Sequence, residues 1–151
     1  MQVKDIMITK IITVPETATY EEAAQILVSN RIGGAPVIDG HGSLLGIISK
    51  KDLFKVLYPF YRSFYEHPEN YAQTEQREDK AGEIRKHKII DYMSKGVITV
   101  ESDVPIISAG AIMLARQIHR LPVVENNQLV GLVTREDVFE AVLKHNFSFI
   151  E

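Results

Sequence analysis

The chain has 151 residues, of which 45% are hydrophobic and 25% charged, and 17 basic against 20 acidic residues give a net charge of −3. That length suits one compact domain or two small packed halves, and it can bury roughly 70% of its unfolded surface without covalent staples. The composition argues against disorder and against a broad basic field for nucleic acid, and the absence of cysteine removes disulfides, thiolate metal sites and cysteine nucleophiles.

The N-terminus, Met1 to Met7, carries an acid and lacks the apolar core of a secretory signal. No apolar run approaches the length of a membrane span. The expectation is a soluble cytoplasmic protein.

The elements come twice. Asp5-Ile6-Met7 returns as Asp91-Tyr92-Met93. A short β-branched strand follows in each copy, Ile11–Val14 and Val97–Val100. A helix comes next. Thr19 with Glu22 three residues on predicts a capping box. Tyr20, Ala23, Ala24, Leu27 and Val28 then fall on one helix face, as do Ile106, Ala109, Gly110, Met113 and Leu114. Their small residues predict close approach of each helix to a sheet. A hairpin follows: Val37-Ile38 and Leu44–Ile48 flank a polar, Gly-containing turn, and Val123-Val124 and Leu129–Val133 flank Glu125–Gln128. A last helix starts at Ser49 or Thr134. Each copy therefore reads β-α-β-β-α, in an α/β (α+β) fold. A copy of about fifty residues is marginal alone, so the two are expected to share a core.

The sequence divides into a first repeat over 1–57, an insertion over 58–88 and a second repeat over 89–151. The insertion opens on the aromatic run Tyr58–Tyr65, which is expected to pack on something, and continues into a charged stretch that reads as a solvated helix.

The string Gly46-Ile47-Ile48-Ser49-Lys50-Lys51-Asp52 recurs as Gly131-Leu132-Val133-Thr134-Arg135-Glu136-Asp137. Read plainly, Ser49 and Thr134 are helix caps with an acid at the third helical position. The same geometry can serve a ligand. Backbone amides at a helix start attract phosphate, the hydroxyl adds a donor, and the carboxylate can accept from ribose hydroxyls. Both readings can hold together. His119-Arg120 before Pro122-Val123 is either an exposed polar pair or a phosphate grip. Gly33-Gly34 stands at the matching place in the first copy.

These features together resemble a CBS (cystathionine β-synthase) domain pair, also called a Bateman module. The resemblance covers both repeats and leaves out the insertion. It implies two tandem motifs packed with pseudo-twofold symmetry, binding adenosine-containing ligands in two clefts between them. His119-Arg120 resembles the phosphate-binding pairs in the γ subunit of AMP-activated protein kinase. For one cleft the family arrangement implies Ile12 and Ile32 on the base side, with His119, Arg120, Thr134 and Asp137 on the ribose and phosphate side. For the other it implies Ile98 and Ile118, with Ser49 and Asp52. AMP, ADP, ATP and S-adenosylmethionine all suit that logic.

The implied function is regulatory: a stand-alone module whose ligand occupancy alters a partner protein, without membrane or nucleic acid. A homodimer is expected through the helices. The five histidines lack a metal-binding spacing, no residue set pairs a nucleophile with a base, and neither a metal nor catalysis is expected. The alternative is a protein-interaction or assembly module with vestigial ligand clefts.

Overall fold

The computed structural model describes residues 1–58, 66 and 80–147. The aromatic run expected to pack lies outside these residues except for Tyr58, and so does the charged stretch before Lys80.

In the first repeat β1 (Val14–Pro15), α1 (Tyr20–Ser29), β2 (Gly34–Ile38), β3 (Leu44–Ser49) and α2 (Lys50–Leu57) follow in order. A short helix α3 (Lys80–Ile84) precedes the second repeat. That repeat holds α4 (Ile106–Arg116), β4 (Arg120–Glu125), β5 (Gln128–Thr134) and α5 (Arg135–Phe147). One sheet has the order β1-β2-β3, and the other pairs β4 with β5.

The first strand of each copy is shorter than its composition predicts. Val14 pairs with Val37 in parallel, and Val100 makes only an isolated parallel bridge to Val123. The Val100 amide donates to the Pro122 carbonyl at 3.1 Å, and Val124 donates back to Val100 at 2.9 Å. One step toward the N-terminus, the next donor in this ladder would be the amide of Pro122, or of Pro36 in the first copy. Proline has no N–H, so the ladder stops there in both repeats.

The capping box at α1 forms as predicted. Thr19 Oγ1 accepts from the Glu22 amide at 3.2 Å, and Glu22 Oε2 accepts from the Thr19 amide at 3.2 Å. Tyr20, Ala23 and Leu27 are buried. Val28 and Leu114, predicted on the inner faces, are instead 65% and 62% exposed. Each lies at the edge of its helical stripe. Gly110 does not meet a sheet: a Cβ there would touch Val138 Cγ1 of α5 at 3.3 Å, so its small size serves helix-to-helix approach. The β4–β5 turn places Asn126 and Asn127 at φ 49° and 64°. Asparagine tolerates this left-handed region, and it suits a two-residue hairpin.

The chain forms two compact units whose boundaries cross the repeats. One comprises residues 12–40 and 45–96, the other 1–11, 41–44 and 97–151. In the first, Ile84, Ile89 and Met93 are buried with Val14, Leu27, Val37, Ile48 and Leu53. In the second, Val3 is buried with Met113, Leu121, Val123, Val133 and Val138. Each core is thus completed by the segment that opens the other sequence repeat. The reason is edge pairing and helix capping. Ile8 exchanges hydrogen bonds with Leu132 at 2.8 and 3.0 Å, and Ser94 does the same with Ile47 at 2.9 and 3.0 Å. The first α4 amide, Ile106, donates to Met1 at 3.1 Å, while Tyr20 and Glu21 of α1 donate to His87 and Arg85 at 2.7 and 3.1 Å. Amides at a helix start have no partner within the helix, so these carbonyls satisfy them.

Candidate functional site

Both recurrent motifs occupy the junction of a hairpin strand and a helix. In the first unit, Ser49 ends β3 in extended conformation and caps α2. Its Oγ accepts from the Asp52 amide at 3.1 Å, and its amide donates to Asp52 Oδ2 at 3.0 Å. The Lys50 amide donates to the Gly33 carbonyl at 2.9 Å. The capping reading therefore holds, and one oxygen of the Asp52 carboxylate is engaged in it.

The second unit repeats the plan with one difference. Thr134 ends β5 opposite Arg120 of β4. Thr134 Oγ1 accepts from the Asp137 amide at 3.3 Å, and the Arg135 amide donates to the His119 carbonyl at 2.8 Å. The structure thus brings His119, Arg120, Thr134 and Asp137 to one end of the β4–β5 hairpin. Arg120 and Thr134 are half-buried, and His119 and Asp137 are exposed. No hydrogen bond holds the Asp137 carboxylate among the described residues. The matching backbone contact in the first unit comes from Gly33, which with Gly34 offers no side chain.

The four isoleucines divide evenly. Ile12 and Ile32 lie in the unit of Ser49 and Asp52, and Ile98 and Ile118 in that of Thr134 and Asp137. Ile12 is 39% exposed. Ile32 is half-buried against the first core, and Ile98 and Ile118 against the second. All four keep some accessible apolar surface.

Two features were not read from the sequence, one beside the first motif and one at the turn end of the β4–β5 hairpin, opposite the end that carries Thr134. Tyr20 donates from its hydroxyl to the Leu53 carbonyl within α2. Glu125 accepts from the amide and hydroxyl of Ser102 at 2.7 and 2.6 Å. These hydrogen bonds hold the Glu125 carboxyl below the usual glutamate range. Tyrosine at the first position of α1, where the second repeat has Ile106, was the available signal for the first. Nothing in the repeat pattern pointed to the second. Among the described residues no cluster of three histidine, aspartate or glutamate side chains could hold a metal ion. No helix among them is long and apolar enough to cross a membrane.

Two tandem β-α-β-β-α motifs, each carrying Gly-x-x-Ser/Thr-x-x-Asp at its last helix, define a CBS domain pair. The family model for the CBS domain matches residues 3–59 and 89–144, and the chain belongs to that family. It is 31% identical over 144 residues to a CBS domain-containing protein of Dictyostelium discoideum, covering 94% of this chain and 91% of that one. An uncharacterized protein of Methanocaldococcus jannaschii is 34% identical over 155 residues, covering 95% and 92%. Among solved structures, CBSX2 in complex with AMP aligns with a TM-score of 0.72 at 26% identity, over 96% of this chain and 98% of that one. The CBS domain pair of MJ0100, in complex with 5′-methylthioadenosine and S-adenosyl-L-methionine, aligns with a TM-score of 0.70 at 28% identity, over 96% and 98%.

Proposed function

We propose that this protein is a regulatory module that reversibly binds an adenosine-containing ligand and signals its occupancy to a partner protein. The observation that carries the reading is the cluster of His119, Arg120, Thr134 and Asp137 at one hairpin end. It supplies a guanidinium and an imidazole for phosphate, a hydroxyl, and for ribose a carboxylate that has no competing hydrogen bond among the described residues. AMP in CBSX2, and 5′-methylthioadenosine and S-adenosylmethionine in MJ0100, support this ligand class. Ser49 and Asp52 form the second, less charged motif. The isoleucine pairs Ile12 with Ile32 and Ile98 with Ile118 supply apolar surface for adenine. The test is thermal denaturation with AMP, ADP, ATP and S-adenosylmethionine, followed by calorimetry. Ligand at a hundredfold its Kd stabilises the fold by about 2.7 kcal/mol. No shift and no heat with any of the four would reject the reading.

A specific observation favours assembly as a second reading. Helices α4 and α5 form an open groove of about 370 Å³ lined by apolar residues, including Ile107, Leu114, Phe139 and Leu143. This face suits a second copy of the chain. A dimer mass by light scattering, reduced to a monomer by Leu114→Glu, supports it; a monomeric wild type at tens of micromolar rejects it.

A further inference from the structure

Tyr20 engages two parts of its unit at once. The residue is buried at the start of α1. Its hydroxyl donates to the carbonyl of Leu53, the residue after Asp52 in α2. Its amide donates to the His87 carbonyl at 2.7 Å. Its ring meets Tyr92 edge-on, with centroids 5.9 Å apart, and the Tyr92 hydroxyl shares a 2.5 Å hydrogen bond with His87 Nδ1. Burial, and then the nearby Tyr92, pushes the Tyr20 phenol up to about 12. It therefore stays a donor at any physiological pH.

Helix α2 needs such a tether. It has eight residues, a length at which helices draw their stability from packing. The buried Leu53 side chain secures it without fixing a direction. A hydrogen bond to the Leu53 carbonyl fixes both its rotation and its position along the axis. The corresponding residue of the second repeat, Ile106, has no hydroxyl. Its amide is held by Met1 at 3.1 Å, but its side chain cannot grip α5.

We propose that Tyr20 is a positioning residue for the Ser49–Asp52 motif, and that it couples ligand affinity at that motif to the connector Arg85–Tyr92. The inference rests on the ligand-binding reading above. Coupling of this kind is reciprocal. A ligand that orders the first turn of α2 steadies the connector, and a partner that grips the connector raises affinity at Ser49–Asp52. Among the described residues no side-chain hydrogen bond of this kind joins α4 to the Thr134–Asp137 motif, so the two motifs answer to different inputs.

The test has two arms. The first is amide exchange on the free protein. Tyr20→Phe keeps the ring and its contact with Tyr92 but removes the hydroxyl. Exchange at the Asp52 amide should quicken about three- to tenfold, the equivalent of one net hydrogen bond, while α4 and α5 stay unchanged. The second arm is AMP calorimetry. In an Asp137→Ala background Tyr20→Phe should weaken binding by a similar factor. In an Asp52→Ala background it should change nothing. His87→Ala should weaken the Ser49–Asp52 motif when Tyr20 is present and add no further loss in Tyr20→Phe. Unchanged exchange at α2, or equal losses in both backgrounds, overturns the proposal. A wild type that binds none of AMP, ADP, ATP and S-adenosylmethionine rejects the ligand reading instead, and the exchange arm then decides positioning by itself; where another of the four binds and AMP does not, that ligand takes the place of AMP in the second arm.

Discussion

Met7 packs onto the bare backbone of Gly131: a Cβ on that glycine would lie 2.9 Å from Met7 Cγ and closer still to its sulfur. Met93 does the same to Gly46, whose Cβ would lie 2.9 Å from Met93 Sδ and press on the Ser94 carbonyl. Each methionine belongs to the Asp-x-Met string of one repeat and each glycine to the Gly-x-x-Ser/Thr-x-x-Asp string of the other. The glycine of the motif thus has a packing role distinct from the ligand chemistry of its Ser/Thr and Asp.

Replacing the two glycines should have unequal effects. At Gly131 the obstacle is a flexible methionine side chain, which can shift, so Gly131→Ala should cost about 1 kcal/mol. At Gly46 the obstacle includes the Ser94 carbonyl, which accepts from Ile47 at 3.0 Å. Gly46→Ala should therefore cost about 2–3 kcal/mol. Urea denaturation of both variants checks the order, and a larger loss at Gly131 would contradict it.

The Glu125 carboxylate links β4 to Ser102. Its folded pKa is lowered by the Ser102 hydroxyl and amide. Its contribution is therefore complete above the unfolded glutamate value of about 4.3 and is lost as pH falls through the lowered folded value. Glu125→Gln should lower Tm at pH 7, and the gap from wild type should close in acid. A gap that persists unchanged to pH 3 would show that the charge is not involved.

Arg120 should distinguish phosphorylated from plain ligands. A charge-assisted grip contributes about 1.5–3 kcal/mol, so Arg120→Ala should weaken AMP roughly ten- to a hundredfold and adenosine far less. The AMP preference should also fall with rising salt. Equal losses for AMP and adenosine, measured by calorimetry, would remove Arg120 from the phosphate site.

The compact units predict which fragments fold. Residues 12–96 contain the whole of one unit together with the short segment 41–44, whereas 1–57 lack Ile84, Ile89 and Met93 of its core. The fragment 12–96 should unfold cooperatively, and 1–57 should show no transition. Cooperative unfolding of 1–57 would mean that the connector adds little to that core.

The sequence by itself determined the duplication, the β-α-β-β-α order, the capping boxes at Thr19 and Ser49, and the two motifs at the strand-to-helix junctions. Those features are local: capping spans three residues, helix faces repeat every three or four, and turn residues declare themselves. Only the tertiary structure decided which segments complete which core. Val3 and Ile89 open their repeats identically in pattern, yet each is buried in the unit built from the other repeat's hairpin. No local propensity encodes that choice, because it depends on which sheet edge and which helix start lie within reach of the chain. The same reason hid the Tyr20 hydroxyl bond, which joins residues 33 apart. It also hid the full use of Pro36 and Pro122, whose missing amides end a ladder that strand composition alone would have continued.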